Sequence, residues 1–269
     1  MAGAPTSEDK DFPWWLVGAG LIGVALLIDV VLDPKAMQIL EVIARGVWVT
    51  IFVTLVAFTL ASALGLGLAV MALSNSRALR QIARFYVEII RGVPMLVLLF
   101  YVAFVGAPAL IHGFNALASP LIEAGWINPL QVRDFSLMWR AIIALAIGYS
   151  AFLSEIFRAG IQAVDKGQVE AGKALGLNRW QRFRHIVMPQ AIRTVLPPLG
   201  NDFVAMVKDS SLVSVLGVAD IAQMAKIHSA GSFLYFETYT IAAYVYLVMT
   251  IGLSLMLRSL ERRLRRGWR

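Results

Sequence analysis

The feature that most limits what this chain can fold into is where its charges are missing. No charged residue occurs from Gly46 to Ser76, from Gly92 to Ile122, or from Thr238 to Leu257. A helix rises ~1.5 Å per residue, so ~20 apolar residues cross the ~30 Å hydrocarbon core of a bilayer. Each run is long enough. Three further segments complete the set. Trp14–Leu32 carries Asp29 near one end, within reach of the interface. Ala141–Ser154 is extended by Glu155. Gln190–Val207 is interrupted by Pro197, Pro198, Asn201 and Asp202. That last segment is read as a broken span whose released backbone groups are satisfied inside the bundle. The expectation is an all-α integral membrane protein with six transmembrane helices. A secretory signal is the competing reading of the first segment, since Lys10 precedes it. Its acidic flank (Glu8, Asp9, Asp11) and the lack of a convincing small-residue cleavage site weigh against it.

Composition closes the alternatives. The chain is 59% hydrophobic and 15% charged, with mean hydropathy +0.72, too little polar surface for a water-exposed globule. Disordered, fibrous and soluble nucleic-acid-binding classes are excluded. The net charge of +7 then points to an anionic membrane surface. There is no cysteine, hence no disulfide, thiolate zinc or iron–sulfur site. His112, His185 and His228 lie far apart, so no metal site is expected. Lys and Arg concentrate in 74–91 (Arg77, Arg80, Arg84, Arg91), in 155–193, and in the tail from Arg258. The intervening segments 33–45, 106–140 and 208–237 carry only Lys35, Arg45, Arg133, Arg140, Lys208 and Lys226. The bias places the three basic segments, and with six spans both termini, in the cytoplasm. Ala57, Ala61, Gly65 and Ala69 recur every four residues, a stripe that lets another helix approach closely.

Segment 155–193 carries the most local signal. Asp165 to Gln168 has the spacing of a helix-starting capping box. Leu175-Gly176 is a helix end with glycine in the left-handed position. Asn178 to Gln181 repeats the cap, and a second short helix is expected to run to Met188, before Pro189. The loop thus folds as two short helices meeting at a turn. An interfacial hairpin resting its basic residues on lipid headgroups is the alternative.

The spacing Glu170-Ala171-Gly172, then Gly176, then Ile186-x-Met188-Pro189 resembles the EAA loop of bacterial ABC importer permeases, with Gly172 for Ala and Met188 for Leu. Phe85 to Pro94 is similar to that family's entry into its second core span. Val164 to Gln168, Leu196 to Leu199 and Val207 to Leu212 resemble its polar amino-acid branch. The resemblance covers about residues 41–262. It implies a five-span core of the type I importer fold there, an added N-terminal segment 1–40 with one extra span, a coupling loop at 155–193, and a basic tail at 263–269. It further implies a bacterial inner-membrane permease for polar amino acids and a second permease subunit, identical or homologous. Two ATPase subunits holding ATP and Mg2+ and a substrate-binding protein complete the implied assembly. Glu170, Ala171, Gly172, Gly176 and Pro189 then belong to the ATPase contact. This chain has no Gly-x-x-x-x-Gly-Lys-Ser/Thr phosphate loop, so no cofactor is expected on it and it is not expected to be an enzyme.

Ionisable residues inside a membrane are site candidates by default. Glu155, following Tyr149 and Ser150, is one, with pairing to Arg158 as its structural alternative. Asn201 and Asp202 are others, with a polar plug at the Pro-Pro break as theirs. Glu88 and Arg91 form either a structural pair or a gate at the inner mouth. Lys208 and Asp209 adjoin the outer mouth, as a dock for the binding protein or as an anchor. A standalone carrier or channel remains the second functional class, but it gives the Glu170–Pro189 loop no role. An intramembrane enzyme lacks any motif to support it.

Overall fold

The structure is a computed structural model that describes residues 14–266. Among them every regular element is helical. In chain order these are α1 (Trp14–Leu32), α2 (Pro34–Ala72), α3 (Arg77–Gly92), α4 (Met95–Tyr101), α5 (Ala107–Leu117), α6 (Ser119–Glu123) and α7 (Leu137–Gln162). Then come α8 (Lys166–Ala174), α9 (Arg179–Arg182), α10 (Met188–Asp209), α11 (Ile221–Ser232) and α12 (Tyr235–Arg266). Residues 1–13 of the N-terminal segment and 267–269 of the tail lie outside the described residues, as do the side chains of Asp29 and of 263–266. Among the described residues, four helical stretches are long and apolar enough to cross a membrane: Pro34–Ala72, Met95–Leu117, Leu137–Gln162 and Tyr235–Arg262. α10 has the length, with 22 residues, but Arg193, Asn201, Asp202, Lys208 and Asp209 dilute its apolar character.

α2 organises the bundle. Asp33 caps it, accepting from the Lys35 N–H at 3.0 Å, with Pro34 in the first turn where its missing N–H costs nothing. The segment 33–45, expected as a loop, is therefore the start of this helix. Its 39 residues span about 58 Å, roughly twice the hydrocarbon core. Buried positions run Ala36, Ile39, Ile43, Gly46, Thr50, Val53, Ala57, Ala61, Gly65 and Ala69. The first part packs on α11 and α12 through Ile221, Ala225, Ile241 and Ala242. The second part packs on α7. A Cβ built on Gly65 would stand 3.0 Å from Leu153 Cβ and from the Ser150 carbonyl oxygen. The four-residue stripe is thus the α2–α7 contact.

α7 is the most enclosed helix. Ala141, Ile142, Ala144, Leu145, Ala151 and Leu153 are fully buried. Segment 74–91 forms α3, which runs along α7. Tyr86 Oη lies 2.8 Å from Ser150 Oγ and donates to the Ile147 carbonyl at 3.1 Å. Two π-turns interrupt otherwise continuous helices, at Val102–Gly106 and Phe183–Val187, and each sits one residue before a dipeptide ending in proline: Ala107-Pro108 and Met188-Pro189. Widening the helix by one residue accommodates the ring and the lost N–H without a break. The second short helix therefore does not stop at Met188 but continues into α10. Pro197 and Pro198 also lie inside α10. The expected break there is absent, because Ala191, Val195 and Gly200 on either side are buried against the bundle.

Arg140, counted from sequence among the outer-loop cations, is buried. Its Nη1 donates to the Ala103 carbonyl at 3.1 Å, its Nε to Phe135 at 2.8 Å, and its Nη2 to Val132. In the π-turn the Ala107 N–H bonds Val102. The next donor in that register would be Pro108, which has none, so the guanidinium supplies what the Ala103 carbonyl lacks.

Asp220 caps α11, its carboxylate accepting from the Gln223 N–H at 2.9 Å and from Tyr246 Oη at 3.2 Å. The Ile221 N–H donates to Thr50 Oγ1 at 3.3 Å. Burial raises the Asp220 carboxyl to about 6, against an ordinary value near ~3.9. The folded state then binds the proton more tightly than the unfolded chain. Stability from this group is fully present below pH ~4 and is lost as pH rises through about 6. Asp220→Asn keeps the cap acceptor and removes the titration. The melting temperature of Asp220→Asn relative to wild type should rise between pH 4 and 7; a constant difference would refute the assignment. Gly46 lets α11 come this close, since a Cβ there would sit 2.5 Å from the Asp220 carbonyl carbon. Gly46→Ala should cost about 1–3 kcal/mol in thermal unfolding. Gly67→Ala, with open space around it, should cost nothing measurable.

Candidate functional site

α7, α4 and α10 enclose a cavity of about 280 Å3 lined by Met95, Leu98, Tyr149, Phe152, Asp202 and Asp209 among others. Its polar groups arrive from two helices, α7 and α10. Tyr149 is buried on α7 and donates from its Oη to Asp209 Oδ2 at 2.7 Å. Asp209 is the last residue of α10, and Asp202 lies two turns earlier on the same face. Asp209 is therefore held by a partner within the bundle. It meets Tyr149 halfway along α7. Lys208 turns the other way, into a groove beside Thr250, Ser254 and Arg258 of α12.

The structure thus divides the residues singled out from sequence. Tyr149 and Asp202 share this cavity. Asn201, one residue away and so ~100° around the helix, is exposed and does not line it. Glu155 lies elsewhere. It is ion-paired with Arg158, which also donates to Gln162 Oε1 at 2.9 Å. Both line a second cavity of about 410 Å3 with Arg80, Arg84, Glu88 and Arg91. Glu88 and Arg91 form no ion pair among the described residues. Instead the Arg91 guanidinium lies 5.4 Å from the centroid of the Phe152 ring, a cation–π contact. Asp209 is the residue that sequence reasoning missed as a cavity partner. Its signal, an ionisable residue beside a predicted span, was present, but its pairing with Tyr149 spans 60 residues and needs the fold. No cluster of three potential metal ligands occurs among the described residues.

At the far end of α7 the chain makes its helical hairpin. Asp165 Oδ1 accepts from the Gln168 N–H at 3.3 Å and starts α8. Gly176 has φ +75°. Its N–H bonds the Lys173 carbonyl at 3.0 Å, and the Leu177 N–H bonds that of Gly172 at 3.1 Å, the paired bonds of a Schellman cap. Asn178 and Gln181 exchange two 2.9 Å bonds and start α9. Gln190 on α10 donates to Gln168 Oε1 at 2.6 Å and to the Ile186 carbonyl at 2.9 Å, tying both arms together. Gly172 is buried within the hairpin: a Cβ there would stand 2.5 Å from Ile186 Cδ1. Its small size serves the hairpin's own packing, while Glu170 and Ala171 are exposed beside Leu175 (80%) and Trp180 (65%). Trp180 stacks on Phe183 with centroids 6.0 Å apart. Pro189 sits in the first turn of α10. Gly172→Val should therefore loosen the hairpin itself, seen as faster amide hydrogen exchange over 166–187. Gly176→Val should cost about 1–2 kcal/mol through its left-handed backbone alone. Unchanged exchange in both variants would contradict these roles.

Comparison with known proteins bears on what these parts do. Residues 61–266 match the family model described as binding-protein-dependent transport system inner membrane component. The probable amino-acid permease protein YxeN of Bacillus subtilis (strain 168) is 34% identical over 221 residues, covering 82% of this chain and 90% of that protein. The glutamine transport system permease protein GlnP of Escherichia coli (strain K12) is 36% identical over 184 residues, 68% of this chain and 75% of that one. A crystal structure of an amino acid ABC transporter with histidines superposes with a TM-score of 0.70 at 36% identity, covering 86% of this chain and 99% of that chain.

Proposed function

The chain belongs to the family of binding-protein-dependent transport system inner membrane components, and from that premise we propose how the Tyr149–Asp209 cavity and the hairpin divide the work of importing a polar amino acid. It is a multi-pass membrane permease subunit of an ABC importer and is not itself an enzyme. In the proposed assembly, two ATPase subunits bind ATP and Mg2+, a second permease, identical or homologous, completes the path, and a binding protein delivers substrate. The permease lies in the bacterial inner membrane with both termini and the hairpin cytoplasmic, in keeping with the arginine-rich segments 74–91, 155–193 and the tail. The segment 1–40 is an addition to the core 41–262.

The observation that carries the substrate reading is the Tyr149–Asp209 hydrogen bond at the wall of a cavity that also holds Asp202. Carboxylates inside a membrane are retained where a partner or a watery path compensates them. Here the two aspartates offer acceptors to a substrate ammonium, and Tyr149 orients one of them. Glu155, Glu88 and Arg91 belong to the neighbouring cavity, and Asn201 lies off the path. Reconstituted with its ATPase and binding protein, Asp202→Asn or Tyr149→Phe should lower amino-acid uptake at least about tenfold, the loss of one charge-assisted hydrogen bond. Assembly should be unaffected. Wild-type uptake in both variants would remove this cavity from the path.

The hairpin is the proposed ATPase contact. Its outward residues, Glu170, Ala171, Leu175 and Trp180, meet the partner, while Gly172, Gly176 and Pro189 hold the shape that presents them. Leu175→Glu, which changes exposed surface only, should reduce substrate-stimulated ATP hydrolysis with the permease still inserted and folded. If stimulation were instead lost on neutralising Arg179, Arg182 and Arg184 and kept in Leu175→Glu, the hairpin would be a lipid-surface element.

A further inference from the structure

The 410 Å3 cavity has no part in the substrate path just described, and its charges do not balance. Four arginines, Arg80, Arg84, Arg91 and Arg158, face two glutamates, Glu88 and Glu155. Glu155 is taken by Arg158. Arg80 spends Nη1 on the Ser74 carbonyl at 2.7 Å, and Arg91 lies against the Phe152 ring. Arg84 has neither an ion pair nor a hydrogen bond among the described residues. The cavity thus keeps a positive excess at the hairpin end of α2 and α7, where a bilayer presents its headgroups.

Its α2 wall continues as an apolar track. Leu68 lines the cavity, and Leu64 and Leu60 follow at helical spacing on the same side, both exposed. The track runs ~12 Å from the cavity toward the middle of α2. On α3, Leu79, Ile82, Phe85 and Ile89 form an exposed apolar face away from the arginines, so the helix presents cations to the cavity and hydrocarbon to its surroundings. A ligand matching both parts carries a phosphate at one end and an acyl chain at the other.

We propose that this cavity binds the phosphate of an anionic membrane phospholipid, with an acyl chain along Leu68, Leu64 and Leu60. In the orientation given above, this is the inner leaflet, where basic pockets between helices meet anionic headgroups. The substrate reading of the Tyr149–Asp209 cavity does not enter the inference.

The test is native mass spectrometry of the full chain in detergent with added phosphatidylglycerol, phosphatidylcholine, or inorganic phosphate alone. Wild type is expected to retain one phosphatidylglycerol per chain, with at least about tenfold preference over phosphatidylcholine. Each arginine near an anionic lipid is worth about fivefold in binding. Arg84→Gln should therefore weaken retention about fivefold and Arg84→Glu more, while Arg84→Lys retains it. Arg179→Gln, on the exposed hairpin, should leave it unchanged. Arg84 makes no hydrogen bond or ion pair among the described residues, so these variants test binding with the packing intact, and Gln serves if charge reversal unfolds the chain. Equal retention of both lipids, retention unaffected in both Arg84→Gln and Arg84→Glu, or an equal loss in Arg179→Gln would overturn the proposal. So would displacement of the lipid by millimolar inorganic phosphate, which would assign the cavity to the free anion.

Discussion

The close approach of α2 to α7 is the contact on which the rest of the structure depends. In lipid, hydrophobic burial does not drive one helix onto another, so association rests on van der Waals packing and interhelical hydrogen bonds. Ala57, Ala61 and Ala69 are fully buried and Gly65 brings the backbone of Ser150 to its Cα. With that face of α7 occupied, its other faces have fixed directions. Tyr149 points to α10, Ser150 to Tyr86 on α3, and Glu155 to Arg158 and the arginine cavity. Three polar roles follow from one helix being clamped along its length by residues that have almost no side chain.

The polar groups inside the bundle obey a stricter accounting than the apolar ones. A backbone carbonyl without a donor costs several kcal/mol in a medium without water. Prolines create such carbonyls, and the chain answers with π-turns and with a guanidinium. Arg140 reaches three carbonyls, among them the one at Ala103 whose donor would have been Pro108. Thr50, near the middle of α2, does comparable work, accepting from the Ile221 N–H at the start of α11. A buried arginine in this setting binds the 132–140 segment to the helix it follows.

These same groups mark where the sequence could be read and where it could not. Local signals were legible. The uncharged runs gave the long helices, and Asp165, Gly176 and Asn178 gave the ends of the hairpin helices, because a cap is decided within four residues. The small-residue stripe correctly announced a close helix contact. Proline was misleading. Pro189 and Pro197-Pro198 signal breaks in isolation, yet flanking buried residues and a one-residue widening carry the helix through. Arg140 counted as a loop cation because its acceptors lie up to 37 residues away. Asp209 belonged to an apparent mouth until the fold set it against Tyr149. The misreadings of Arg140 and Asp209 are both pairings across the chain, which neither periodicity nor spacing encodes.

Gly172 shows how the distinction bears on mechanism. A glycine on a short exposed helix suggests room for a partner, but its free space is filled by Ile186 of the same hairpin. That changes the physical role of the element. A hairpin whose arms are locked by Gly172–Ile186 packing, a Schellman cap and the Gln168–Gln190 bond resists internal bending, so a displacement at its exposed Leu175 and Trp180 is delivered to both helices it joins. Those helices are α7 and α10, the two that contribute Tyr149, Asp202 and Asp209 to the proposed substrate cavity. Glu155 and Arg158 lie between the hairpin and Tyr149 on α7, about 9 Å and about 13 Å from Tyr149 along the helix. A push that slid α7 against α10 by even a fraction of a helical turn would lengthen the 2.7 Å Tyr149–Asp209 bond beyond hydrogen-bonding range. In the proposed importer, this bond links nucleotide-driven motion to the groups that hold the substrate.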